Sequence, residues 1–222
     1  MTRRTKRILA LVILGLALAA AGAWLAGCGR RVNLRDFDPD AVARADAAMW
    51  RAYYAKDSRA LLGLFGRLIR DETGVSYPYS MYLAFQGSRA AFVFKQGKGR
   101  AEFERALPPL VSLYRGIKAS SRADFDPARA ARLELDWWII HRERWLHPPQ
   151  DLDRALAAAA AEVYGIRPEA AAEYGHLRGE AMRVRDTSSW RQTPTEQDWQ
   201  RVEELLRQAW RALWQAVNHD ET

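Results

Sequence analysis

The sequence predicts an all-α fold: a multi-helix bundle of seven or eight helices behind an N-terminal hydrophobic segment. Three observations carry that expectation. Capping residues recur along the body, apolar residues return at spacings of three and four, and no stretch alternates with the period of a strand. Hydrophobic residues make up 49% of the 222 and charged ones 27%, enough for a folded core and against a disordered chain. A single cysteine excludes a disulfide-stapled miniprotein, and one folded domain is the natural count.

Asp38-Pro39 and Asp126-Pro127 each place an N-cap before a proline at the first helical position, where its missing N–H costs nothing. Asp57, Asp151 and Thr195 are further caps. The helices expected are residues 39–56, 58–73, 78–96, 100–119, 127–146, 152–164, 168–186 and 195–218. Breaks fall at Gly74, Gly97-Lys98-Gly99, Ser120-Ser121, Pro148-Pro149, Gly165 with Pro168, and Ser188-Ser189. Pro108-Pro109 should kink or split the fourth helix, because proline removes a donor and clashes with the preceding turn. Residues 79–94 are apolar nearly all round and read as a central helix surrounded by the others. The last helix has the clearest stripe, Trp199, Val202, Leu206, Ala209, Leu213 and Val217, and packs that face inward. Eight tryptophans follow residue 28, and core filling is their expected role.

Residues 36–54 match residues 124–142 at an offset of 88, with seven identities in nineteen positions. Four of the seven are the Asp-Phe-Asp-Pro start, where the phenylalanine can act as a hydrophobic staple. Convergent capping is therefore the expected cause, with duplication of a helical unit as the alternative.

The formal net charge of +7 belongs to the N-terminal segment, since from Asp36 onward 27 basic residues face 27 acidic ones. A neutral body lacks the basic excess with which proteins displace counterions from phosphates, so no nucleic acid is expected as a partner. Arg3, Arg4, Lys6 and Arg7 precede an uncharged run from Ile8 to Gly29, the order that the export machinery reads. Leu25-Ala26-Gly27-Cys28 closes that run and closely resembles the lipobox of bacterial lipoproteins. The resemblance covers about the first 28 residues. It implies a diacylglyceryl group on Cys28, cleavage just before it, and membrane lipid as a partner through the N-terminus. The expected division is 1–27 as signal peptide or membrane anchor, 28–36 as tether and 37–222 as one α-helical domain. An uncleaved transmembrane helix is the other reading of Ile8 to Gly29. Both readings place the body on the extracytoplasmic side of a bacterial cell membrane.

Catalytic signatures are sparse. There is no Gly-x-Ser-x-Gly elbow, and Gly97-Lys98-Gly99-Arg100 has the wrong spacing for a phosphate loop. The candidates left are charged groups on apolar stripes: Asp46 on the first helix, Glu134 and His141 on the fifth, and Glu173, His176 and Glu180 on the seventh. Glu173-x-x-His176 resembles half of the ligand motif of ferritin-like dimetal carboxylate proteins, but the companion motif is absent. A mononuclear divalent metal site from Glu134, His141, Glu173, His176 and Glu180 stands against pairing with arginines such as Arg44, Arg132 and Arg178. His147 and His219 are expected in solvent. The expected function is a noncatalytic, envelope-associated interaction protein with a protein partner in the envelope and no cofactor. A metal-dependent or acid–base enzyme built on the interior carboxylates and histidines is the alternative.

Overall fold

The computed structural model describes residues 31–191 and 194–219, with Thr5, Val12, Ile13 and Gly15. Cys28 and most of the N-terminal apolar run, where the anchor is expected, lie outside the described residues. Among the described residues the protein is all-helical, with one isolated bridge between Val32 and Ser121 and no helix long and apolar enough to cross a membrane. The long helices are α1 (Pro39–Tyr54), α2 (Ser58–Thr73), α3 (Tyr77–Gln96), α4 (Leu107–Ser120), α5 (Pro127–Arg142), α6 (Pro149–Tyr164), α7 (Ala172–Arg191) and α8 (Glu196–His219). Short helical turns at Arg100–Phe103 and Glu104–Ala106 lead into α4, and another at Arg144–Leu146 follows α5.

Each helix packs against its two neighbours in sequence, and α8 packs on α1 to close a ring. Short connections turn each helix back along the one before it, which gathers the C-termini of α2, α4, α6 and α8 at one end. Residues 32–35 cross that end. Val32 donates to Ser120 O at 3.1 Å and accepts from Arg122 N at 2.8 Å, and the Arg35 guanidinium donates to the carbonyls of Tyr164 and Gly165 at 3.0 and 3.3 Å. Asn218 near the end of α8 donates to Arg35 O at 3.1 Å. A guanidinium at helix C-termini satisfies orphan carbonyls and meets the negative ends of the helix dipoles. The expected tether is thus docked on the bundle from Val32 onward.

Asp38 accepts from the amides of Asp40 and Ala41, Asp57 from that of Ala60, and Asp126 from that of Ala128, as the capping pattern predicts. Thr195 and Asp198 cap α8 reciprocally, each accepting from the other's amide at 3.2 and 2.8 Å. Several expected boundaries move. Extended Pro148 lets Pro149 open α6, so Asp151 stands in the first turn instead of at the cap. The fifth helix stops at Arg142 rather than 146, where Arg144 donates to His141 O at 3.1 Å and the chain tightens into a 3₁₀ turn. The seventh starts at Ala172, after turns that follow Pro168, and runs through the break expected at Ser188-Ser189. The aromatic helix α3 is not central. It buries Tyr79, Leu83, Ala84, Gly87 and Ala90 between α2 and α4 and turns Tyr82, Phe85 and Phe92 outward, because a ring gives each helix only two flanking neighbours.

The internal similarity extends far beyond the caps. The first three long helices have 16, 16 and 20 residues, and so do α5, α6 and α7. α2 and α6 both end on a glycine in the left-handed conformation, Gly74 at φ 66° and Gly165 at φ 64°. Phe37 before α1 meets Trp210 of α8 edge-on at 5.9 Å, and Phe125 before α5 meets Tyr114 of α4 edge-on at 6.2 Å. Trp210 then donates to Asp46 on α1 at 2.9 Å, as Tyr114 donates to Glu134 on α5 at 3.1 Å. Asp46 and Glu134 stand at the same offset of 88 as the caps. Helix lengths, terminal glycines and aromatic donors thus correspond between the halves, which follow one four-helix plan. The Pro108-Pro109 pair marks their main divergence: it splits the first half's last helix, whereas α8 is continuous.

Replacing Asp38 or Asp126 by Ala should each lower unfolding stability by about 1 kcal/mol, through loss of an N-cap acceptor. Urea denaturation followed by circular dichroism checks this, and the double substitution should be close to additive because the caps start different helices.

Candidate functional site

Two carboxylates point into the ring at corresponding places on α1 and α5. Asp46, 4% exposed, accepts from both Arg178 Nη atoms of α7, with Nη2 at 3.3 Å, and from Trp210 Nε1 of α8. Arg178 is itself ringed by aromatic faces, 5.5 Å from Trp50 and 5.9 Å from both Tyr174 and Trp210. Burial disfavours its charge, but the neighbouring Asp46 carboxylate more than compensates and holds the guanidinium firmly protonated. Glu134 accepts from Tyr114 Oη at 3.1 Å and from Trp138 Nε1 at 3.0 Å. Burial, and then the charge of Glu134, push the Tyr114 hydroxyl well above its ordinary range, and burial pushes Tyr174 up to about 12. These groups remain hydrogen-bond donors at any physiological pH, so the interior network is fixed rather than reactive.

The remaining expected site residues do not join Glu134. His141 lies at the other end of α5, where its Nε2 is 3.0 Å from Asp186 Oδ2 of α7. Glu173 and His176 face outward, the latter with Nδ1 3.0 Å from Asp153 Oδ2 of α6. Glu180 accepts from Arg183 Nε at 2.9 Å, and Arg183 reaches on to Asp153 at 2.8 Å. Among the described residues, no three His, Cys, Asp or Glu side chains gather as a metal site requires. The spacing of Glu173, His176 and Glu180 puts them on one helical face, but that face meets the carboxylate of α6 and the arginine of its own helix. Cys28 lies outside the described residues.

His141 lines a cleft of about 180 Å³ between the end of α5, the start of α6 and the last turns of α7. Its apolar wall is Ile140, Pro148, Pro149, Leu152 and Met182. Its charged wall is Asp186 with Arg144, whose Nε is 3.3 Å from the carboxylate. Burial pushes Asp186 up, but the hydrogen bond and charge of His141, with Arg144 and Arg185, outweigh it and hold the carboxyl below its ordinary range. A carboxylate that orients an imidazole can support proton transfer, yet no hydroxyl or thiol side chain lines the cleft among the described residues. The arrangement suits holding an apolar group beside a charged one. At its edge stand Trp145 and Leu146, 73% and 68% exposed. The helical period, which extends the fifth helix to 146, hides both. Their one sequence signal is a pair of large apolar residues shortly before a proline pair.

At the opposite end, Glu72 in the last turn of α2 is half-buried, and burial, with the charges of Asp71 and Asp38, pushes it up to about 7. A carboxyl raised in the folded state is neutral without penalty below the unfolded value of about 4.3, and its ionisation costs stability as pH rises through 7. Glu72→Gln should therefore raise the melting temperature at pH 8 and leave it nearly unchanged at pH 4. Asp46→Ala should cost about 3–5 kcal/mol, because it strands the Arg178 charge inside the ring. Equilibrium denaturation at pH 7 measures that loss.

No protein-family model, curated protein or solved structure matches this chain, so its functional reading rests on the residues and geometry described above.

Proposed function

We propose that this is a membrane-anchored extracytoplasmic interaction protein, held to lipid through Cys28 and binding a protein partner of the envelope at the His141 cleft. The observation that carries the reading is the pair Trp145 and Leu146, exposed beside that cleft at the end of the ring away from residues 31–36. Large apolar side chains held out in solvent beside a concave site are characteristic of protein-binding surfaces, and tryptophan is prominent among residues that dominate their affinity. The basic start, the uncharged run and Leu25 to Cys28 support the anchor. Acyl chains contribute about 0.8 kcal/mol per buried methylene, so two or three of them hold a protein stably on a bilayer. With the docked segment at one end and the cleft at the other, a partner would approach without obstruction from the membrane.

A second reading uses the same cleft. Asp186 holding His141 beside Arg144 has the composition of an acid–base pair, which keeps an enzyme open. The two readings separate under substitution. A photo-crosslinking amino acid at position 145, in the full chain in a bacterial host, should give a discrete protein adduct that the same probe at Gln208 does not. Leu146→Ser should weaken the adduct, which a role in proton transfer at His141 and Asp186 does not require. An adduct absent at 145, or equal at both positions, removes the interaction reading. Mass spectrometry of the purified protein should find an acylated Cys28 at the mature N-terminus, and recovery of intact Met1 peptides from most of the membrane fraction would count against lipidation there.

A further inference from the structure

We infer that the outer face of α2, α3 and α4 is a membrane-contacting surface that lays the body against an anionic bilayer. The neutrality of the body conceals a strong segregation. Residues 58–122, which form these helices, carry 11 basic and 4 acidic side chains, whereas residues 123–222 carry 13 and 18. Along α3, Tyr82, Phe85 and Phe92 stand outward, Phe85 at 55% and Phe92 at 61% exposed, with Arg89 on the same face. From Tyr77 to Phe92 this stripe extends about 22 Å at the helical rise. Exposed arginines flank it on both sides, Arg67 and Arg70 from α2, and Arg105 from the turn before α4 with Arg115 from α4 itself. Among the described residues, Arg67, Arg89, Arg105 and Arg115 have no acidic partner, so their charge is directed at whatever covers the face. Apolar and aromatic side chains between cations are the pattern of helices that lie in the interface of an anionic membrane.

A groove of about 250 Å³ between α2 and α3 belongs to the same face and is lined by Gly63, Arg67, Arg70, Tyr77 and Met81. Two guanidiniums and a phenol over an open glycine suit a lipid phosphate, which arginine binds in bidentate fashion. The chain's own course selects the bilayer as occupant. Val32 lies beside Gly74 at the end of α2 and is hydrogen-bonded to Ser120 and Arg122 at the end of α4. Cys28 is four residues earlier, so a lipid attached there lies within about 14 Å of the lower end of this face. This inference rests on the anchored reading above. With α3 turned to the membrane, α7, opposite it in the ring, and the His141 cleft face away.

The test uses the full chain, one copy per nanodisc, in phosphatidylcholine alone or with phosphatidylglycerol, carrying a benzophenone amino acid at position 85. Phosphatidylglycerol discs should give lipid adducts several-fold above those in phosphatidylcholine and above the same probe at Gln208 on α8. Charge reversal by Arg67→Glu, Arg89→Glu and Arg115→Glu together should reduce the yield to the Gln208 level with an unchanged circular dichroism melt. An adduct yield at 85 equal to that at 208, or indifferent to the three arginines, overturns the inference while leaving the anchor intact. Chain-to-chain adducts without lipid adducts, in discs loaded with two copies, would assign the face to a second copy and overturn it as well. Failure of the chain to enter discs of either composition overturns the anchored reading and this inference with it.

Discussion

The closure of the ring depends on one buried carboxylate. Asp46 is set on α1 by the helical phase that also buries Ala43 and Ala47, and its charge is satisfied only when α7 supplies Arg178 and α8 supplies Trp210. An ionised group removed from water is costly unless it is paired and hydrogen-bonded, so any arrangement that leaves α8 off α1 forfeits that compensation. The pairs on the outside, Arg51 with Glu196 and Glu203, and Arg211 with Asp40, add orientation at the same seam but little free energy in water. Specification of the closing contact falls to the polar trio inside, and its bulk stabilisation to Val202, Leu206 and Ala209.

The second half of the chain repeats this device with altered chemistry. Glu134 takes the place of Asp46 and Tyr114 that of Trp210, while Trp138 provides the second donor in place of a buried arginine. The shared plan of the two halves is visible at the closing contact: the packing of α8 on α1 has its counterpart where α4 meets α5. The halves diverge on their outer faces. α3 carries an aromatic and basic exterior, while the exterior of α7 has Glu173, His176 and Glu180, the last two engaged with Asp153 of α6 and with Arg183. A body whose charges balance from Asp36 onward thus yields two unlike sides, because its basic and acidic residues lie on different helices.

The sequence made the fold class legible through signals that are local. Asp38, Asp57, Asp126 and Thr195 cap helices because a short side-chain acceptor beside free amides acts within a few residues, whatever the rest of the chain does. The α8 stripe is legible for a similar reason, since one dominant apolar face needs only one packing partner direction. The α3 assignment failed where locality ends: an all-round apolar helix fits the centre of a bundle or a place in its outer ring, and only the identity of its neighbours separates the two.

By itself the sequence determined that this chain folds as helices, where most of them start, and that an apolar, lipobox-like segment precedes them. It also placed Asp46 and Glu134 on apolar stripes, where they required partners, and offered Arg44, Arg132 and Arg178 among the candidates without choosing between them. Tertiary structure decided that Arg178, of the three arginines, pairs with Asp46, that Trp210 and Tyr114 are the aromatic donors, that His141 meets Asp186 instead of Glu173 or His176, and that Trp145 stands in solvent. The physical reason is that a cap or a stripe is fixed by side chains one or two turns apart, whereas a charge pair across a ring is fixed by the angle at which separate helices meet. That angle is set by the packing of all eight helices together.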